Sequence, residues 1–151
     1  MKLTEVVHLA DVNVLIALHE GAHPHHRTAR RWFDARLSEG RSGVWATCLL
    51  TQAGFVRVMT NPKIGHGMEE TMQALSLLTV HPGHRFWPAV DGWSALSAPF
   101  AERLFGHQQV TDAGLLGLAV REGGVLVTLD RGITHLAGAK YRKNLLLLDA
   151  S

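Results

Sequence analysis

The feature that most limits the fold of this chain is a repeated change of hydrophobic period. Short apolar runs are each followed at once by apolar residues three and four apart. Val6 to Ala10 is such a run, and Val14, Leu15, Ala17 and Leu18 follow it at helical spacing. Gly43-Val44-Trp45-Ala46 leads in the same way, through Thr47 as an N-cap, into a segment with Leu49, Ala53 and Val56 on one stripe. Val125 to Leu129 is the clearest run, and Leu145 to Leu148 is the last. Apolar runs without polar alternation are strands covered on both faces. Strands interleaved with helices, with no hairpin signal between them, predict an α/β fold: a central parallel sheet flanked by helices in three layers.

The intervening segments fill in this plan. Ala29, Trp32, Phe33 and Leu37 predict a second helix ending near Ser38-Glu39-Gly40, with Arg27, Arg30, Arg31 and Arg36 mainly on its outer face. Asn61-Pro62 ends the helix after the second strand, because proline disfavours helical geometry in the residue before it. Met68 to Leu78 is a further helix, Arg85 to Trp87 a brief strand, and Pro88 to Gly106 a loop with one or two short helices. Thr111 caps a helix that carries Leu115, Leu116, Ala119 and Val120 and ends at Gly123-Gly124.

A chain of 151 residues, 46% of them hydrophobic, is expected to form one domain over 1–151 and to bury its own core without cross-links. The single cysteine, Cys48, excludes an intrachain disulfide and fits a reducing compartment. Glu5, His8 and Asp11 interrupt the start before a signal sequence could develop, and no apolar stretch approaches the ~20 residues needed to span a bilayer. These features predict a soluble cytoplasmic protein. A pI near 9.0 and ten histidines point mildly to a polyanionic partner.

Candidate chemistry lies at the strand ends, where ligands collect in parallel sheets. Asp11 follows the first run, Asp130 follows Val125 to Leu129, and Asp112 stands in the first turn after Thr111. One such aspartate is ordinarily a helix cap. Three in one cleft repel, by about 3 kcal/mol per pair at ~5 Å and an effective dielectric near 20. A divalent cation is the natural counter-charge, and an all-oxygen site suits Mg²⁺ or Mn²⁺ better than zinc. His19, His23, His25 and His26 are clustered but lack zinc-like spacing and read as a solvated loop. Trp32, Trp45, Trp87 and Trp93 read as core or dimer-interface residues. Arg131, beside Asp130, is a candidate for contacting phosphate or orienting the acidic cluster.

Three blocks carry a family resemblance: Asp11-Val12-Asn13-Val14-Leu15-Ile16, Val110-Thr111-Asp112, and Val127-Thr128-Leu129-Asp130-Arg131-Gly132. In this order and spacing they resemble PIN-domain ribonucleases, specifically VapC-type toxins of bacterial toxin-antitoxin pairs. The resemblance implies a Mg²⁺-dependent endoribonuclease acting on structured RNA such as tRNA or rRNA, commonly dimeric, with an antitoxin that plugs the cleft. It places Asp11 and Asp112 on the metal, completes the acidic set with Asp130, and gives Asn13 and Thr128 supporting roles.

One position departs from the pattern. Where the family carries a second acidic residue early in the helix after the second strand, this chain has Gln52. Glutamine keeps an acceptor oxygen but loses the charge and the ability to take a proton. The alternative to a nuclease is therefore a degenerate PIN domain that binds RNA or antitoxin without cutting. An aspartyl-phosphate protein is disfavoured, because Asp11-Val12-Asn13 lacks the paired acids such sites require. Asp11, Asp112 and Asp130 are expected to converge with Gln52 in one cleft, and the apolar faces of the early helices to pair two copies of the chain.

Overall fold

A computed structural model describes residues 6–38 and 44–149. Its strands are β1 (His8–Ala10), β2 (Trp45–Thr47), β3 (His84–Phe86), β4 (Val125–Thr128) and β5 (Leu145–Leu147). Helices α1 (Val12–His19) and α2 (His26–Leu37) follow β1, and α3 (Leu49–Met59) and α4 (Met68–Thr79) follow β2. Helices α5 (Trp93–Ser97) and α6 (Val110–Arg121) lead to β4, and α7 (Ile133–Ala137) leads to β5. The strands form one parallel sheet in the order β3-β2-β1-β4-β5.

That order determines where a site can form. The chain winds outward from β1 through β2 to β3, then returns to place β4 on the other side of β1. Connections leave the adjacent strands β1 and β4 in opposite directions, which opens a crevice beyond their carboxyl ends. Register sets Leu9 beside Leu126 and Ala10 beside Val127, and the Asp11 amide still bonds the Val127 carbonyl at 2.9 Å.

Alternation along each strand builds the two outer layers, because successive side chains point to opposite faces. Leu9, Ala46 and Leu126 join Phe100, Leu115, Leu116, Ile133 and Leu136 on the face covered by α5, α6 and α7. Ala10, Trp45 and Val127 join Val14, Leu15, Phe33, Phe55 and Met59 beneath the earlier helices. The three-layer α/β architecture expected from the periodicity is the one observed.

Local boundaries differ in several places. Thr47 is the last residue of β2, and Cys48 takes the N-cap of α3, its N–H bonded to Thr51 Oγ1 at 2.9 Å. Helix α6 starts at Val110 with Gln109 as N-cap, so Thr111 lies inside it. The brief third strand sits one residue earlier than expected, because its register is set by pairing with β2. Helix α7 has no forerunner in the sequence reading, since five residues are too few to show a period. Gly43, Glu39 and Gly40 lie outside the described residues. Among the described residues no helix is long and apolar enough to cross a membrane.

A Cβ on Gly117 would run into the Leu96 backbone carbonyl where α6 crosses α5. Gly117→Ala is therefore expected to destabilise the fold by about 1–3 kcal/mol, measured by urea unfolding. An unchanged midpoint would mean the two helices separate freely.

A second expected effect concerns acid. Trp32 Nε1–H donates to His8 Nδ1 at 3.1 Å, which requires that nitrogen to be unprotonated. Burial, with Arg36 nearby, lowers the His8 pKa to about 4. Between pH 6.5 and 4 the unfolded chain thus binds the proton more readily than the folded one, so stability falls as pH drops through that window. His8→Asn should remove about 2–3 kcal/mol of this acid sensitivity in melts compared at pH 7 and pH 4. Identical pH profiles for both proteins would contradict it.

Candidate active site

The crevice between β1 and β4 is stitched by one hydroxyl. Asp11, at the N-cap of α1, accepts the Val12 N–H on Oδ1 at 2.7 Å. Its Oδ2 accepts from Thr128 Oγ1, at the end of β4, also at 2.7 Å. Thr128 Oγ1 in turn accepts from Asn13 Nδ2 at 3.3 Å and from the Asp130 N–H at 3.0 Å. One donated and two accepted bonds use the full capacity of that hydroxyl. Asn13 Oδ1 closes the network by accepting the Leu129 N–H at 3.2 Å, and Asp130 Oδ1 accepts the Gly132 N–H at 2.8 Å in a local turn.

Charge couples the three carboxylates. Burial raises the Asp11 pKa, against the lowering bonds from Thr128 and Val12, and the Asp130 charge raises it further. Asp112, in the first turn of α6, is pushed up to about 7, first by burial and then by Asp11 and Asp130. Asp11 is buried, Asp112 half-buried and Asp130 exposed, so the group runs from the sheet out to solvent. Among the described residues no three His, Cys, Asp or Glu side chains are drawn together tightly enough to hold a metal ion by themselves.

A cavity of about 650 Å³ opens beside Asp112 and Asp130, walled by α6, α7 and the segment before α6, with Phe105, His107 and Gln109 among its lining. Gln52 is tethered to the end of β2. Its Nε2 donates to Thr47 Oγ1 at 2.9 Å, and Thr47 Oγ1 lies 2.7 Å from His84 Nε2. The amide is thus drawn to the end of β2, and Gln52 is not among the residues that line that cavity. Burial lowers the His84 pKa, with a bond to the Thr79 backbone opposing, which favours the neutral ring. Sequence reading missed Thr47 and His84. Thr47 reads locally as a cap, and no sequence pattern pairs it with a residue on a third strand. The exposed Arg131 side chain makes no hydrogen bond or ion pair with either neighbouring carboxylate.

A carboxylate-bearing crevice at the switch point of a small parallel sheet agrees with the family comparison. The PIN domain matches residues 9–139, and the chain belongs to the PIN domain family. Its relatives there are VapC ribonucleases. Ribonuclease VapC38 of Mycobacterium tuberculosis is 45% identical over 132 residues, spanning 85% of this chain and 89% of that one. Ribonuclease VapC39 of the same organism is 40% identical over 134 residues, spanning 87% and 94%. The fold is shared with the crystal structure of M. tuberculosis VapC20, described as a sarcin-ricin loop cleaving toxin. The TM-score is 0.58 at 16% identity, over 84% of this chain and 92% of that one.

Because the folded state holds the Asp112 proton up to about pH 7 and the unfolded chain releases it near 3.8, stability is lost as pH rises between those values. Asp112→Asn should therefore stabilise the metal-free protein at pH 7.5 by about 1–2 kcal/mol after solvent screening, and change little at pH 4. Melting curves in EDTA at both pH values test this. Equal stability at pH 7.5 would show that the three charges are not coupled.

Proposed function

We propose that this chain is a Mg²⁺-dependent endoribonuclease toxin that cleaves structured RNA such as tRNA or rRNA in the cytoplasm and is neutralised by a cognate antitoxin. The observation that carries the reading is the gathering of Asp11, Asp112 and Asp130 around the crevice of β1 and β4, where burial first, and then the charges of Asp11 and Asp130, raise the Asp112 pKa to about 7. The donor set fits a hard cation. It is all oxygen, and Mg²⁺ is held by one or two carboxylates with waters and substrate phosphates completing its shell, so a ready group of three protein ligands is not required. Asp112 and Asp130, with Asp11 behind them, would hold it. When bound, the ion lowers the pKa of a water and neutralises charge on a phosphoryl oxygen.

The chain's own residues supply the rest. Thr128 and the Val12 amide orient Asp11, and Asn13 ties the start of α1 to the turn that presents Asp130. Burial and the charges of Asp11 and Asp130 raise the Asp112 pKa to about 7 in the metal-free protein, and a bound cation would favour its ionised form. Arg131, which pairs with no carboxylate among the described residues, would meet an RNA phosphate. Gln52 supplies an amide oxygen but no charge. That property, with its tether to Thr47, supports the second reading: a domain that binds RNA or antitoxin without cutting.

We also propose that two copies pair. The apolar faces of α1 and α2 are consumed inside the chain, and the exposed Met68, Met72, Leu77 and Val80 on and just after α4 offer the surface instead. Sedimentation at micromolar concentration should give a dimer, and a monomer would refute the pairing.

RNA cleavage with and without Mg²⁺ tests the main reading. The wild-type chain should cut in Mg²⁺ and not in EDTA, and Asp112→Asn should lose at least about 100-fold in rate. Gln52→Glu should tighten Mg²⁺ binding by about one to two powers of ten in calorimetry, since most of the gross attraction is offset by repulsion and desolvation. Cleavage only by the Gln52→Glu protein would establish the non-cutting reading.

A further inference from the structure

A second charged feature lies at the far end of α1. Gly21, His23, His26, Arg27 and Arg31, with Pro24 and Thr28, line a cavity of about 440 Å³ between the turn after α1 and the exposed side of α2. No carboxylate and no large apolar side chain belongs to these walls. Arg27 and Arg31 stand one helical turn apart, a spacing of ~6 Å between Cβ atoms at which like charges destabilise a helix. Neither forms an ion pair among the described residues, whereas Arg30, between them, is bound to Asp34 at 2.9 Å.

The histidines face the same way. His23 Nδ1 accepts the His25 N–H at 3.0 Å, which leaves Nε2 as its proton donor. His26 Nδ1 donates to the Ala17 carbonyl at 2.7 Å, so its Nε2 becomes a donor once the ring is protonated. Burial, then His25 and His26, lowers the His23 pKa, and Glu20 opposes them. Glu20 itself is engaged by His66. Two guanidinium groups and the His23 N–H donor thus surround a cavity whose walls supply no anion.

We infer that this cavity binds a phosphate of the RNA backbone, as an anchoring point separate from the carboxylate crevice. The inference rests on the ribonuclease reading above. Paired guanidinium forks match phosphate oxygens geometrically, and the cavity offers none of the apolar anchors on which protein partners depend. The eight residues of α1, about 12 Å of helix, separate it from Asp11, a span that a few nucleotides of one strand can bridge.

The test is fluorescence anisotropy with a fluorescein-labelled RNA hairpin in EDTA, across a salt series. The Arg27→Ala/Arg31→Ala double variant should bind about tenfold more weakly near 150 mM salt. Its slope of log K against log[salt] should be shallower by about 0.7–0.9, the loss of one phosphate contact. Arg30→Ala, which removes one positive charge from the same helix outside the cavity, should shift binding by less than about twofold. Circular dichroism melts confirm that all three proteins fold. In Mg²⁺ the double variant should raise KM and leave kcat unchanged.

Unchanged affinity and slope in the double variant would overturn the anchoring site while leaving the ribonuclease reading intact. A wild-type chain that binds no RNA would overturn that reading, and this site with it. Binding of a poly-glutamate peptide that the double substitution abolishes, with RNA binding untouched, would assign the cavity to an acidic protein surface and refute the RNA proposal.

Discussion

The hydrogen bond from Thr128 to Asp11 is the contact on which the site depends. It joins the ends of two strands that are neighbours in the sheet and far apart in the chain, and it does so where the winding of the chain reverses. Through the same oxygen, Asn13 and the Asp130 amide are placed, so one hydroxyl aligns a buried carboxylate, the first turn of α1 and the turn bearing Asp130. Such a network is effective because each member is satisfied, and a buried polar group left without its partner is expensive.

Fold and chemistry pull against each other here. Burial, and then the neighbouring carboxylates, raise the pKa of Asp11 and Asp112, and the folded chain carries that cost as lost stability near neutral pH. A cation or a bound basic partner relieves it, which couples stability to ligand binding. Gln52 bears on the same balance. A neutral amide adds no repulsion, and its N–H group secures Thr47 and, through it, His84 on β3. A glutamate there would bring charge to the crevice and give up that donor.

Two groups of cations lie apart. Arg131 lies beside the carboxylates, while Arg27 and Arg31 sit with His23 and His26 beyond the far end of α1. An RNA-acting chain with a formal charge of only +2 gains more from placing its cations along a path than from net charge, because each phosphate contact releases its own counterions.

The sequence by itself determined the layered plan. Apolar runs such as Val125 to Leu129 can be stable only when covered on both faces, and they alternate with segments of helical period, so a parallel sheet between helices was legible without any contact being known. Asp11, Asp112 and Asp130 were legible as strand-end and helix-start carboxylates for the same reason. Local pattern could not reveal which strands neighbour which, because order in a sheet is set by crossovers and packing. Only the tertiary structure decided that β1 lies between β2 and β4, so that Thr128 meets Asp11 and Gln52 turns to Thr47 and His84. Thr128 and Asp11 lie 117 residues apart and Thr47 and His84 37, and each pair becomes neighbours only when the sheet closes its ladder of hydrogen bonds.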